Sequence, residues 1–318
     1  MKKRIPSPDQ PSDARSSQGE APGGQGHDDL FQQHRALLFS IAYRMLGSVA
    51  DAEDMLQESF IRWQQTPQTD VRNPRAFLVT IISRLCLNHL QSARVQREEY
   101  VGPWLPEPLL TVPAGDPSEP ARVGESLSMA FLLLLERLSP VERAVFLLRE
   151  VFEYEYSEIA QVVHQSEANC RQILRRARQH VTQDRPRFSP SMEEREEMLQ
   201  QFLDAASRGD LQGLLALLSS DVVLYADGGG KATAVPNPIH GPLNVARFVM
   251  RAPRKLVPQN RVRSLVQING LPCVVNYFEG RPHSVVTLDI VEGRVRGIYI
   301  VSNPEKLTRL PALPPAPC

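Results

Sequence analysis

The sequence has no run of about 18 apolar residues, the minimum for a membrane-spanning helix. Its longest apolar stretch, Met129–Leu135, stops at Glu136 and Arg137. No apolar segment follows Lys2, Lys3 and Arg4, so the start does not read as a secretory signal. Cysteine is scarce and scattered (Cys86, Cys170, Cys273, Cys318), with no CxxC pair. That argues against a zinc site or a redox motif and fits a reducing, cytoplasmic compartment. A charge of one sign is missing too: Lys+Arg and Asp+Glu are both 36, a formal net charge of +0 over 318 residues. Nucleic-acid-binding domains are usually basic, so the average argues against such a partner until it is resolved along the chain. At about 100–200 residues per domain, the length predicts two or three domains.

Proline is plentiful, and it divides the chain. Pro6, Pro8, Pro11 and Pro22 lie in a polar stretch, 1–28, expected to be a disordered tail. Pro103, Pro106, Pro108, Pro113, Pro117 and Pro120 fill a linker, 100–126, that cannot be regular helix. Pro186 and Pro190 mark a third break, and Pro311 to Pro317 a flexible tail, 308–318. Three blocks remain: 29–99, 127–184 and 192–307. Helical spacing of Leu30, Leu37, Leu38, Ile41 and Met45, and of Phe77, Leu78, Ile81, Ile82, Leu85 and Leu90, makes the first block all-α. The second is also helical, with Ser139-Pro-Val-Glu142 as cap, first-turn proline and capping-box glutamate. The third opens with helices. It turns β-rich after Asp221, with Asn269-Gly270 and Glu292-Gly293 as hairpin turns, an α+β domain with an antiparallel sheet.

Local charge breaks the overall balance. Arg75, Arg84, Arg94 and Arg97 share one predicted helix with no acid, and Arg171, Arg175, Arg176 and Arg178 share another. Such stripes suit phosphate contact. The second lies in a helix-turn-helix pattern: Ala160 is small enough for a helix crossing, His164 takes the turn, and Ser166 caps the next helix. Glu167, Asn169, Arg171, Gln172, Arg175 and Arg176 then face outward, toward a major groove. Asp51, Glu53, Asp54 and Glu58, with Gln57, form an acidic helix suited to a basic protein partner. The C-terminal block is roughly balanced.

These residues resemble a known family. Ala52-Glu-Asp-Met-Leu-Gln-Glu-Ser-Phe60 is similar to sigma region 2, and Asn73-Pro-Arg-Ala-Phe-Leu78 to its −10 part. Leu138–Leu148 and Ser166–Arg178 are similar to region 4. Their order resembles an extracytoplasmic-function sigma factor. Phe202–Asp210 and Leu214–Leu218 resemble the start of a SnoaL-like, ketosteroid-isomerase-like cone. Trp104-Leu105-Pro106-Glu107-Pro108, Asp227-Gly228-Gly229-Gly230-Lys231 and Asn303-Pro304-Glu305-Lys306-Leu307 are similar to motifs of the SigJ-like group, which carries that domain as a fusion.

The resemblance implies a multidomain fold: two all-α sigma domains, a region 2 bundle and a region 4 helix-turn-helix, then the α+β cone. It implies core RNA polymerase and promoter DNA as partners, with no cofactor, metal or membrane. Asp54, Gln57 and Glu58 would dock on polymerase. Phe77, Asn88, His89, Ser92 and Arg94 would contact the −10 strand. Ser166, Asn169, Arg171, Gln172, Arg175, Arg176 and Arg178 would read the −35 element. The three motifs would be regulatory interdomain contacts, with Trp104 docked on the C-terminal domain, and that domain would take the place of a separate anti-sigma factor. It would also be the seat of any small-molecule ligand. Tyr225, Asp227, His240, Tyr277, His283 and Asp289 are polar candidates for its pocket, which leaves an isomerase or hydrolase as one alternative to a non-enzymatic protein. The other alternative is a one-component, ligand-sensing helix-turn-helix regulator.

Overall fold

The computed structural model describes residues 24–67, 71–98, 100–111, 127–182, 190–255 and 261–313. Helix α1 (Gly24–Leu46) ends at Gly47, whose φ of 68° is left-handed, and α2 (Val49–Gln64) starts at once. Ser48 caps α2 by accepting the Asp51 N–H at 3.1 Å. Helix α3 (Pro74–Glu98) starts on its proline, and Asn73 Oδ1 accepts the Ala76 N–H at 3.1 Å. Ala52, Leu56, Ser59 and Trp63 recur every three to four residues on α2 and are buried.

Four more helices follow: α4 (Met129–Glu136), α5 (Pro140–Glu150), α6 (Tyr156–Val163) and α7 (Glu167–Thr182). The capping box at Ser139 and Glu142 is formed, with both reciprocal bonds made. Residues of α1–α3 and of α4–α7 belong to a single apolar cluster running from Phe31 to Val181. The two helical blocks therefore share one core.

The C-terminal block holds α8 (Met192–Arg208), α9 (Leu211–Leu217), β1 (Leu218–Asp227), β2 (Ile239–His240), α10 (Pro242–Lys255), β3 (Val262–Ile268), β4 (Leu271–Phe278), β5 (Arg281–Val291) and β6 (Arg294–Val301). The strand order is β2-β1-β6-β5-β4-β3. Alternating side chains split between two cores, as strand geometry requires. Val274, Leu288 and Ile298 meet Leu199, Phe202 and Val245 of the helices. Val275, Val285, Tyr299 and Val301 point the other way and meet Leu105 and Met129. The second face of the sheet is thus covered by the connector and by α4.

The structure differs from the sequence reading in four places. Helix α1 reaches back to Gly24, because polar residues readily extend a helix that an apolar face has already nucleated. The sheet is mixed: β1 and β6 are parallel, since the chain leaves β1 and returns to the sheet through α10 and a meander, with no hairpin between them. Helix α10 itself escaped the sequence reading. Beyond 307 the chain is packed as far as Leu313: Leu310 is buried and the Leu313 N–H bonds the Gly280 carbonyl at 2.9 Å. The expected tail 1–28 falls mostly, and the linker stretch 112–126 wholly, outside the described residues.

Candidate nucleic-acid interface and interdomain junction

The helix-turn-helix is built as its local chemistry requires. Helix α6 closes on His164 in the left-handed region (φ 53°, ψ 45°). The N–H groups of His164 and Gln165 both bond the Ala160 carbonyl. Ser166 then accepts the Asn169 N–H at 3.2 Å and opens α7. Cys170, Ile173, Leu174 and Ala177 face inward, leaving Arg171, Gln172, Arg175, Arg176 and Arg178 exposed. Two of these arginines are engaged. Arg171 pairs with Glu167 at 3.0 Å and lies over the Tyr156 ring, and Arg178 pairs with Glu150 at 2.7 Å. Such exposed pairs are worth about 0–1 kcal/mol, so a phosphate displaces them readily.

On α2, Asp54 and Gln57 are exposed, and Glu58 bonds Arg62 at 2.9 Å one turn on. On α3, Phe77 packs 6.1 Å from the Trp63 ring. Asn88 and Ser92 are exposed, and His89 Nε2 is 3.6 Å from Asp51 Oδ2. The Arg94 side chain lies outside the described residues.

The basic stripe of α3 does not wholly face solvent. Arg84 donates to the Gln161 carbonyl at 2.7 Å and to that of Val162 at 3.4 Å, at the end of α6. The Arg75 guanidinium lies 5.8 Å from the Tyr154 ring centroid. Arg143 of α5 reaches the other way, donating to the Met45 carbonyl at 2.6 Å and pairing with Glu136 at 2.7 Å. It is buried, and its Nε has no hydrogen-bond partner. A groove of about 330 Å³ between the blocks is lined by Asn73, Phe77 and Thr80 on one side and Tyr154, Glu158 and Val162 on the other.

The three motifs meet around Asp227, which is fully buried. Its carboxylate accepts from the Tyr100 hydroxyl at 2.6 Å, the Leu105 N–H at 2.9 Å and the Lys306 ammonium at 2.7 Å. Lys306 also donates to the Leu105 carbonyl at 2.6 Å and sits 4.3 Å from the Trp104 ring centroid. Asn303 donates to the Tyr100 hydroxyl at 2.9 Å, while its own N–H bonds the Asp227 carbonyl. Lys231 pairs with Glu305 beside them. Burial first, then donation to Asp227, pushes the Tyr100 hydroxyl far above the ordinary phenol range.

The same strap grips the first helical block two residues on. Glu107 Oε2 accepts the N–H groups of Val49 at 2.7 Å and Ala50 at 3.2 Å, placing a carboxylate on the positive end of α2. The Glu107 N–H bonds the Gly47 carbonyl at 2.8 Å, and its own carbonyl accepts the Tyr43 hydroxyl at 2.7 Å. Asn269 of the sheet donates to that hydroxyl at 2.5 Å and accepts the Leu109 N–H at 3.1 Å. Leu105 is fully buried between the blocks, a contribution of about 1.5–3 kcal/mol. Tyr43, Asn269, Arg84 and Arg143 were not singled out for the junction from sequence; their partners lie far away along the chain and follow no periodicity.

The polar residues considered for a pocket do not all converge: Tyr225, Tyr277 and Asp289 lie on one face of the sheet, around Tyr299, and His240 does not. Asp227 spends its oxygens on three donors. Tyr225 stacks on Tyr299, in the cluster that also holds Tyr277, on the sheet face away from α8 to α10. His240 is exposed on β2. Among the described residues no cluster of His, Cys, Asp or Glu is arranged to hold a metal, and no helix is long and apolar enough to cross a membrane.

Comparisons with known proteins agree with this geometry. The family model for Sigma-70 region 2 matches residues 30–95, and that for Sigma-70 region 4 matches 128–181. The ECF RNA polymerase sigma factor SigJ of Mycobacterium tuberculosis is 35% identical, covering 88% of this chain and 93% of its own. The probable ECF RNA polymerase sigma factor SigI of the same species is 31% identical, covering 90% and 97%. The crystal structure of M. tuberculosis SigJ superposes with a TM-score of 0.71 at 32% identity, over 89% of this chain and 98% of that one.

Proposed function

The chain belongs to the extracytoplasmic-function family of RNA polymerase sigma factors, and from that premise we propose that it exists in a closed form which must open to initiate transcription. A sigma factor binds core polymerase and directs it to the −10 and −35 promoter elements. Here α2 offers Asp54, Gln57 and Glu58 to polymerase. The end of α3, with Asn88, His89, Ser92 and Arg94, meets the unpaired −10 strand, where amides and hydroxyls beside arginines suit exposed bases. Helix α7 enters the −35 major groove with Asn169, Arg171, Gln172, Arg175 and Arg176, while Ser166 and Arg178 meet phosphates. Polymerase and promoter DNA as partners support a cytoplasmic location.

The observation that carries the closed form is the bond from Arg84 of α3 to the Gln161 carbonyl of α6. The two promoter elements are separated by about 25 base pairs, roughly 85 Å of duplex at 3.4 Å per step. Helices packed in one core cannot reach both. The C-terminal domain acts on this equilibrium through the strap: Trp104–Pro108 ties Asp227 and Lys306 to the start of α2. It thereby does within one chain what a separate anti-sigma protein does between two. The role is one of binding rather than catalysis, and the three donors on Asp227 support that, since a carboxylate so held is a poor general base.

Run-off transcription with core polymerase tests the reading. The full chain, a truncation after Pro190 and a truncation removing only Asn303–Cys318 are compared. The shorter truncation is expected to raise transcript yield over the full chain, because it removes Lys306 from Asp227. Polymerase-independent promoter occupancy with no transcript from any form would favour a one-component repressor instead.

A further inference from the structure

One hydroxyl at the groove between the helical blocks is buried without a partner. Tyr154 lines that groove, its side chain is 8% exposed, and its Oη makes no hydrogen bond. The backbone fixes its place. Glu153 takes the left-handed region at φ 59°, uncommon for a residue that is not glycine. The Tyr154 N–H then bonds the Leu148 carbonyl at 2.9 Å, and its own carbonyl accepts from Arg149 at 2.7 Å. The Arg75 guanidinium, 5.8 Å from the ring centroid, carries only donors, so it leaves the hydroxyl hydrogen unused. Burial raises the phenol above its ordinary range and keeps that hydrogen in place. A buried hydroxyl so firmly positioned and left unsatisfied calls for a partner.

The groove has room for one. At about 330 Å³ it falls in the size range of small-molecule sites. Phe77 on one wall and Tyr154 on the other supply aromatic surface to a flat apolar body. Arg72 and Arg84 line the same groove with one acid, Glu158. That carboxylate already accepts the Glu155 N–H at 3.0 Å, in the capping box that opens α6. Arg84 donates to the neutral carbonyls of Gln161 and Val162. Two guanidiniums and an unused hydroxyl donor beside two rings suit an anion on an aromatic frame.

We propose that this groove binds a small aromatic carboxylate, and that the bound acid clamps the closed form. The clamp rests on the closed form proposed above. Phe77 and Arg84 belong to α3, and Tyr154 lies between α5 and α6, so opening divides the site. A ligand that binds one state alone shifts the population toward it.

The test is isothermal titration calorimetry of the full chain with phenylacetate and with indole-3-acetate, indole-3-acetamide being the uncharged control. One-to-one binding of an acid is expected, with the amide about tenfold weaker. Tyr154→Phe should not lower the thermal midpoint of the free chain, because the hydroxyl it removes bonds nothing, and should weaken the acid about tenfold. Arg72→Gln should weaken the acid and leave the amide unchanged. In run-off transcription by the full chain, saturating acid should lower the yield severalfold. No saturable binding of either acid, or binding that neither substitution weakens, overturns the site. Binding with an unchanged yield overturns the clamp. If the wild type gives no transcript even without acid, the sigma-factor reading has failed, and the calorimetry still decides the site.

Discussion

The Lys306 ammonium lies 2.7 Å from the buried Asp227 carboxylate, although 79 residues separate them. Asp227 has no exposed side-chain surface and Lys306 little. Breaking such a pair from one side strands a buried charge, at about 3–5 kcal/mol. Asp227→Asn is therefore expected to undock the strap and lower the thermal midpoint. Lys306→Met in the same chain should restore part of the loss, because the stranded charge is gone. Strict additivity of the two substitutions in a double-mutant cycle would show that they do not interact.

Gly47 serves two needs at once. Its φ of 68° turns the chain from α1 into α2, and a Cβ there would meet the Trp104 ring carbon Cη2 at 2.7 Å. Gly47→Ala should cost about 1 kcal/mol in backbone strain alone, more with the displaced ring. With Trp63 replaced by Phe, Trp104 emission reports the displacement: a red shift is expected, and unchanged emission would contradict the contact.

Glu107 caps a helix that is not its own. Glu107→Gln keeps an acceptor but loses the charge at the α2 N-terminus, an expected loss of about 0.5–2 kcal/mol. Urea unfolding measures it. Hydrogen exchange should localise the change to the Val49 and Ala50 amides, which donate to Glu107.

The local chemistry of the helical blocks was legible because each device spans only a few residues. Ser139 and Glu142 announce a capping box, and Ser166 announces the start of α7. The left-handed turn at His164 could be placed although a glycine is more usual there. The junction was legible only as three motifs. Sequence pattern does not show that Glu107 reaches Val49, or that Tyr43 meets Asn269 across 226 positions. The stripe on α3 was read only as suited to phosphate contact, because periodicity reveals a polar face without its occupant; Arg84 and Arg75 lie against α6 and Tyr154. Helix α10 was missed although its apolar residues follow a helical period, because Pro242, Pro253, Val245 and Val249 are poor helix formers; tertiary packing supplies what propensity lacks.

Alkaline pH should loosen the junction. Tyr43 and Tyr100 are both held well above the usual phenol range, chiefly by burial. In the unfolded chain they ionise near pH 10. Folding therefore favours their neutral forms, and this contribution is complete below about pH 10 and is lost as pH rises further. Urea midpoints at pH 8, 9.5 and 11 should fall only at the last value, and less steeply in Tyr100→Phe. A midpoint flat to pH 11 would contradict the burial of these hydroxyls.

The most direct test of the closed form is the distance between α3 and α7. Fluorescent labels at the exposed positions Gln91 and Gln179 report it in the free chain and in a complex with core polymerase and a promoter that the complex transcribes. A short distance is predicted for the free chain, opening to the order of 60–90 Å in the complex, the reach that the duplex between the two elements demands. A short distance that persists in a transcribing complex would contradict the account.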